Sequence, residues 1–236
     1  MEKIITYDTL RNFAYSNDHL ISGDIKGMVI EFYGLGGMMM HQNDLGDGIE
    51  YASKGIIYLI PYYNPWSWMN KQAIDYTDEL VEVICKHYNL ENIKIVSTGK
   101  SMGGLSALVY TRYAKVTPTL CVANCPVCDL PYHYTERPDL PRTLYNAFGN
   151  YDMSLMDALK LHSPFHLVNE MPKIKYVIFH CENDKAVNIE KHSIQFVKKM
   201  KESHYIDLIK VPFRGHCDLS PEALVEYKNI IFNMLS

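Results

Sequence analysis

Residues 99–104 read Gly-Lys-Ser-Met-Gly-Gly and follow Asn92-Ile93-Lys94-Ile95-Val96-Ser97, a run with the composition of a buried strand. A Gly-x-Ser-x-Gly at a strand-to-helix junction requires a very tight turn. Only glycine at 99 and 103 escapes side-chain collision there. Ser101 is then held on strained backbone with its hydroxyl above the sheet edge, and Gly104 lets the next helix pack closely. Such a turn commits the chain to a sheet covered by helices. It also makes demands elsewhere: an acid and then a histidine downstream, each just past a strand, and a loop of backbone donors upstream.

The rest of the chain fits that demand. Strand-like segments are expected at 27–33, 55–60, 93–97, 119–123, 174–180 and 206–211. Most are near-continuous apolar runs, as in strands covered on both faces. Helical spacing recurs at Ile74, Val81, Ile84 and Tyr88, at Leu105, Leu108 and Val109, at Ile189, Phe196 and Met200, and at Leu224, Tyr227, Ile231 and Met234. Ser220-Pro221 opens the last of these as a cap followed by a first-turn proline. The first forty residues read as β-rich, an antiparallel edge pair ahead of the parallel strands. The alternation predicts an α/β fold, a mostly parallel, doubly wound sheet flanked by helices, in one domain over 1–236. Residues 129–161 interrupt it with Pro131, Pro138 and Pro141 and short helical pieces, and read as a small lid insertion.

Charge and hydropathy exclude several classes. The net charge of −4 gives no footprint for nucleic acid. No stretch approaches the roughly 18 apolar residues of a membrane span. Met1 to Asp8 holds no apolar signal segment, so a cytoplasmic location is expected. The six cysteines are accordingly expected as reduced thiols. Cys121, Cys125 and Cys128 have a spacing like that of iron–sulfur ligands. Cys121, however, falls within a strand, and the three read as small buried hydrophobes.

The demanded partners are present. His216 stands in Gly215-His216-Cys217 just after the strand at 206–211, and Asp184 follows the strand at 174–180. Asp129, after the strand at 119–123, is the rival acid. In this assignment His216 takes the proton of Ser101, and Asp184 holds the imidazole tautomer and stabilises the imidazolium. Activity then rises through a histidine pKa near 6–7. The developing oxyanion takes the backbone N–H of Met102 and one from Gly34-Leu35-Gly36-Gly37, namely Leu35, each worth about 3–4 kcal/mol of barrier.

On these residues the chain resembles the α/β-hydrolase family, over roughly residues 25–236. It is most similar to the prolyl-oligopeptidase-like and esterase branch, through Ser163-Pro164, then His180-Cys181-Glu182-Asn183-Asp184, then Gly215-His216. The resemblance implies hydrolysis of esters, thioesters, amides or peptides with no metal or cofactor. It departs from the pattern at Tyr33, which stands for a usual histidine before the oxyanion loop. Cys181 and Asn188 also replace a usual glycine and proline. Lys100 is an uncommon neighbour for the nucleophile, open either to an anionic substrate group or to solvent.

The larger peptidases similar to this branch carry a propeller domain for which 236 residues leave no room. The expected substrate is therefore a small-molecule carboxylic ester. A small peptidase, acyl-peptide hydrolase or thioesterase is the alternative, and a catalytically silent ligand-binding protein the third reading. Pocket candidates are Met38 in a Met-Met-Met-His run, Trp66 and Trp68 in an aromatic loop, and Tyr132 and Tyr145 in the lid. For Met38 core packing is the equal alternative, and for the tryptophans anchoring of the next helix. Oligomeric state is not legible.

Overall fold

The computed structural model describes residues 4–37 and 40–236. Its sheet has seven strands: β1 (Ala14–Ser16), β2 (Gly27–Phe32), β3 (Ile56–Pro61), β4 (Ile95–Lys100), β5 (Leu120–Asn124), β6 (Lys175–Cys181) and β7 (Tyr205–Val211). Their spatial order is β1-β3-β2-β4-β5-β6-β7, with every pair parallel except β1 against β3. The helices are α1 (Gly46–Ala52), α2 (Lys71–His87), α3 (Met102–Tyr113), α4 (Leu130–Glu136), α5 (Leu140–Phe148), α6 (Leu155–Leu161), α7 (Ser193–Met200) and α8 (Pro221–Leu235).

Alternate strand residues feed two cores. Met28, Ile30, Phe32, Ile57 and Leu59 join α2, α3 and α7 on one face. Val29, Ile56, Tyr58 and Ile60 join α1 and α8 on the other. Burial on both faces explains why these strands read as continuous apolar runs rather than alternating ones.

Two expectations need correction. The N-terminal region supplies only one strand of the antiparallel edge pair. Among the described residues, the three-residue β1 lies between two 3-10 turns and pairs antiparallel with β3. Side chains rather than a second strand hold this region. The buried Asp18 carboxylate accepts from Ser16 (2.5 Å), Tyr7 (2.5 Å), Arg11 (2.6 Å) and Tyr88 at the end of α2 (2.7 Å). Second, α1 lies in a segment where no helix was expected, because Gly46 and Gly48 dilute its pattern. Gly48 is needed there, since a Cβ would sit 2.1 Å from the Tyr15 hydroxyl.

Between β5 and β6 the three short helices α4, α5 and α6 pack on one another. They are tied to the segment after β3. Trp68 Nε1 donates to Thr143 (3.0 Å), Asn70 Nδ2 to the Ala147 carbonyl (3.1 Å), and the Tyr151 hydroxyl accepts from Lys71 N (2.9 Å). No helix among the described residues is long and apolar enough to cross a membrane.

Candidate active site

Ser101 sits between β4 and α3 at φ 59°, ψ −124°, a conformation that L-residues seldom adopt. The turn is as tight as the motif demands. A Cβ on Gly99 would lie 2.4 Å from the Gly103 carbonyl oxygen, and one on Gly103 would lie 2.0 Å from that of Phe32. Met102 is the first residue of α3, so its N–H is one of the helix's orphan donors. The loop after β2 passes beside the serine: a Cβ on Gly34 would be 3.8 Å from Ser101 Cβ. In that loop Gly36 N–H donates to Pro65 and Gly37 N–H to Gly34, whereas Leu35 N–H makes no backbone hydrogen bond among the described residues. The Tyr33 hydroxyl hydrogen-bonds His41 Nε2 at 2.7 Å, bracing the exit of the loop.

Asp184 and His216 meet as the spacing predicts. His216 Nδ1–H donates to Asp184 Oδ2 at 2.7 Å. The other carboxylate oxygen accepts the N–H groups of Ala186 (2.8 Å) and Val187 (2.9 Å). His180 lies against the same carboxylate. It donates from Nε2 to the Val187 carbonyl (3.1 Å) and accepts from Ser193 at Nδ1 (2.7 Å), which makes it a structural brace. The Asp184 side chain is fully buried. Burial alone would raise its pKa, but hydrogen bonds from His180, His216 and Val187 outweigh burial and hold it far below the carboxylate range. Burial likewise pulls His216 down, yet the hydrogen bond to Asp184 and the Cys125 contact lift it to about 9. That lies above the value near 6–7 expected for the base.

The imidazole is not hydrogen-bonded to Ser101 in this conformation. His216 Nε2 instead lies 3.5 Å from Cys217 Sγ. Asn124, the last residue of β5, joins the two sides of the site. Its carbonyl accepts from Ser101 N (2.9 Å) and its amide donates to the Cys217 carbonyl (3.3 Å). Cys217 stands at φ 58°, which turns its sulfur back toward Asn124 and beside the ring. The nucleophile candidate and the His216 loop are therefore tethered to one residue, with the ring turned toward sulfur.

A model of the prolyl oligopeptidase family matches residues 67–232. The chain belongs to that family. A relative from Bacillus subtilis (strain 168), named "Uncharacterized peptidase YtmA", is 26% identical over 162 residues, 66% of this chain and 62% of its own length. The chain thus spans less than two thirds of that relative. Among solved structures, Pyrococcus horikoshii acylaminoacyl peptidase is similar at a TM-score of 0.65 and 13% identity, over 89% of this chain and 36% of that one. Est1E from Butyrivibrio proteoclasticus gives 0.61 and 14%, over 94% of this chain and 93% of that one. Esterase B from Lactobacillus rhamnosis gives 0.68 and 15%, over 91% and 78%. These structures establish the α/β-hydrolase fold, and the family match makes the chain a member of a serine hydrolase family.

Within this prolyl oligopeptidase family member the remaining candidates part company. Trp66 is 48% exposed and lies over the loop after β2, its indole 3.7 Å from where a Gly36 Cβ would be. Trp68 is 1% exposed and anchors α5 through Thr143, so it is a packing residue and not a pocket wall. Tyr132, at the start of α4, meets the His192 ring edge-on at 5.6 Å. Tyr145 is 62% exposed on α5, away from the buried Leu144 and Phe148. Met38 lies outside the described residues. Asp129, the rival acid, caps α4 by accepting from Tyr132 N at 3.1 Å. Lys100 is exposed and lines a cavity of about 310 Å³ with Glu31, Asn124 and Cys217.

Cys121, Cys125 and Cys128 do not converge among the described residues. Cys121 and Cys128 are fully buried, and Cys128 bonds to the Pro126 carbonyl. Cys125 instead meets His216 and Cys217, 92 residues downstream of it in the latter case. Sequence reasoning missed this grouping. The available signal was a cysteine directly after His216 and another directly after a strand end.

Proposed function

We propose that the chain is a serine hydrolase that cleaves small carboxylic esters through an acyl-enzyme. Ser101 attacks the carbonyl, His216 takes its proton and returns it to the leaving alcohol, and Asp184 fixes the imidazole and stabilises its charged form. The N–H groups of Met102 and Leu35 receive the oxyanion. The observation that carries this reading is the double tether at Asn124. Asn124 bonds both to Ser101 N and to the residue after the Asp184-oriented His216, at the carboxyl edge of the sheet, which supports a shared site. A rotation of the ring away from Cys217 completes the relay, a tightening that many sites make only with substrate bound.

Esterase B from Lactobacillus rhamnosis, matched along 78% of its length, supports the ester reading. The family match and the peptidase name of the B. subtilis relative support the second reading, a small peptidase or acyl-peptide hydrolase on the same residues. Parallel assays on p-nitrophenyl acyl esters of graded length and on aminoacyl anilides separate the two. In either case Ser101→Ala is expected to lower turnover by about four to six decades with the fold intact. A fluorophosphonate probe should label Ser101 and nothing else. Full hydrolysis by the alanine variant removes the proposal.

A further inference from the structure

Cys125 Sγ, a ring nitrogen of His216 and Cys217 Sγ lie within 4.8 Å of one another, two soft sulfurs and one imidazole nitrogen. The His216–Cys217 separation is 3.5 Å. Tetrahedral zinc, with Zn–N near 2.0–2.1 Å and Zn–S near 2.3 Å, sets its nitrogen and sulfur ligands about 3.5 Å apart. The surroundings match a thiophilic cation as well. The His216 Nδ1–H is held by the Asp184 carboxylate, which leaves Nε2 as the ligating nitrogen. Such a carboxylate–histidine pair is the usual outer support of a zinc ligand. Cys125 Sγ already accepts two backbone N–H groups, from Cys181 (3.3 Å) and Cys217 (3.4 Å), donors that stabilise a thiolate. Cys217 also borders the 310 Å³ cavity, which gives an ion and its fourth ligand, water, a path in.

We propose that Cys125, His216 and Cys217 form an inhibitory zinc site, in which a bound ion takes His216 Nε2 and withdraws it from Ser101. Binding requires the two thiols and the protonated His216 Nε2 to release their protons to solvent. Zinc must displace those protons, so its hold strengthens as pH rises. The neutral pair of thiolates and dication adds no net charge to a mostly buried site. The inhibitory consequence rests on His216 being the catalytic base; the binding does not.

The test therefore has two arms, both on the whole chain kept reduced with a phosphine. In the first, zinc is titrated against a chromophoric chelator, and cobalt(II) serves as a spectroscopic probe. The wild type is expected to take one ion per chain, with thiolate-to-cobalt charge-transfer absorption and tetrahedral d–d bands. Cys217→Ser, at a partly exposed position, should weaken zinc binding by at least about 100-fold, since even outer partners of a ligand are typically worth ten- to a hundredfold. Cys125→Ser is checked for folding by circular dichroism and should also lose the cobalt–thiolate band. Unchanged zinc affinity in Cys217→Ser, or cobalt bound without thiolate absorption, overturns the site. In the second arm each protein is compared with itself, with and without zinc. Ester hydrolysis and fluorophosphonate labelling of the wild type should fall with zinc and return with chelator, while Cys217→Ser loses this response. Tight binding with undiminished labelling overturns the inhibition. If no substrate is ever hydrolysed, the functional reading has failed while the binding arm still decides the site.

Discussion

Two histidine–carboxylate clusters lie in this chain, and they are built for opposite ends. In one, Glu136 Oε2 accepts from both His133 Nδ1 (2.5 Å) and His192 Nε2 (2.8 Å). His192 Nδ1 is filled in turn by the backbone N–H groups of Cys128 (3.1 Å) and Asp129 (3.2 Å). Every position on His192 is used, both rings are buried, and the cluster rivets α4 to α7. In the other, Asp184 orients His216 through Nδ1, and Nε2 meets the Cys217 sulfur, on a ring still 29% exposed. The difference teaches that residue type does not separate a strut from a reactive site; the unspent valence does. Spacing agrees. The N···O distances around Glu136 are shorter than the roughly 3.4 Å that zinc ligands take, so an ion would have to force them apart.

The largest effect that sharpens this contrast is on turnover. His216→Ala should lower kcat by about four to six decades. Glu136→Ala should act on stability instead. It strands two buried ring N–H groups and should cost about 2–4 kcal/mol in urea unfolding. The hydrolytic rate per folded molecule should stay near that of the wild type. A Glu136 variant as inactive as the His216 variant breaks the distinction.

Next in size is pH, where the clusters titrate in opposite senses. Burial lowers His133. Glu136, which burial alone would raise, is held at about 2 by the two histidine hydrogen bonds. Unfolding lets both groups take up protons. This cluster's stabilisation is therefore whole above about pH 6.5 and is lost as pH falls, first through the histidine's unfolded value and then through the carboxylate's toward 2. His216 runs the other way. Its pKa is raised in the fold to about 9, so its stabilisation is present below about 6.5 and lost as pH rises through 9. Asp184, lowered in the fold, adds stability above its unfolded value that disappears in acid. For activity the base must be neutral, so kcat/KM should climb through about pH 9. Asp184→Asn should bring that limb back toward about 6.5 and lower kcat by about four decades. A limb that stays at 9 without the carboxylate refutes the pairing as its cause.

How much of this was legible in the sequence follows from what each feature depends on. The elbow was legible because local sterics dictate glycine at 99 and 103. Asp184 and His216 were legible because each follows a strand whose apolar run announces it. The three-residue β1 was not, since no periodicity develops over so short a span, and α1 hides behind two glycines. Trp68 and Trp66 stand two residues apart in one loop, and only tertiary packing turns the first inward and the second out. The sulfur pair at 125 and 217 has no local signature at all; it arises where the β5 end and the His216 loop meet across 92 residues.

The smallest effect tests whether the helices between β5 and β6 shape the substrate pocket. On α5 the residues at 144 and 148 are buried, and these lie one before and three after Tyr145. That geometry sends Tyr145 to the outer face, where it rests on Gly149. Tyr145→Ala should therefore shift stability by less than about 0.5 kcal/mol and leave the acyl-length profile of kcat/KM in place. Trp66→Ala should change that profile, because its indole lies over the loop that offers Leu35 N–H. If instead the tyrosine variant reorders the ester preferences and the tryptophan variant does not, then α5 must swing across the sheet edge during turnover. The ties of Trp68 to Thr143 and Asn70 to Ala147 would then have to open in each cycle, a motion that should appear as faster amide exchange at 143 and 147 when substrate is present.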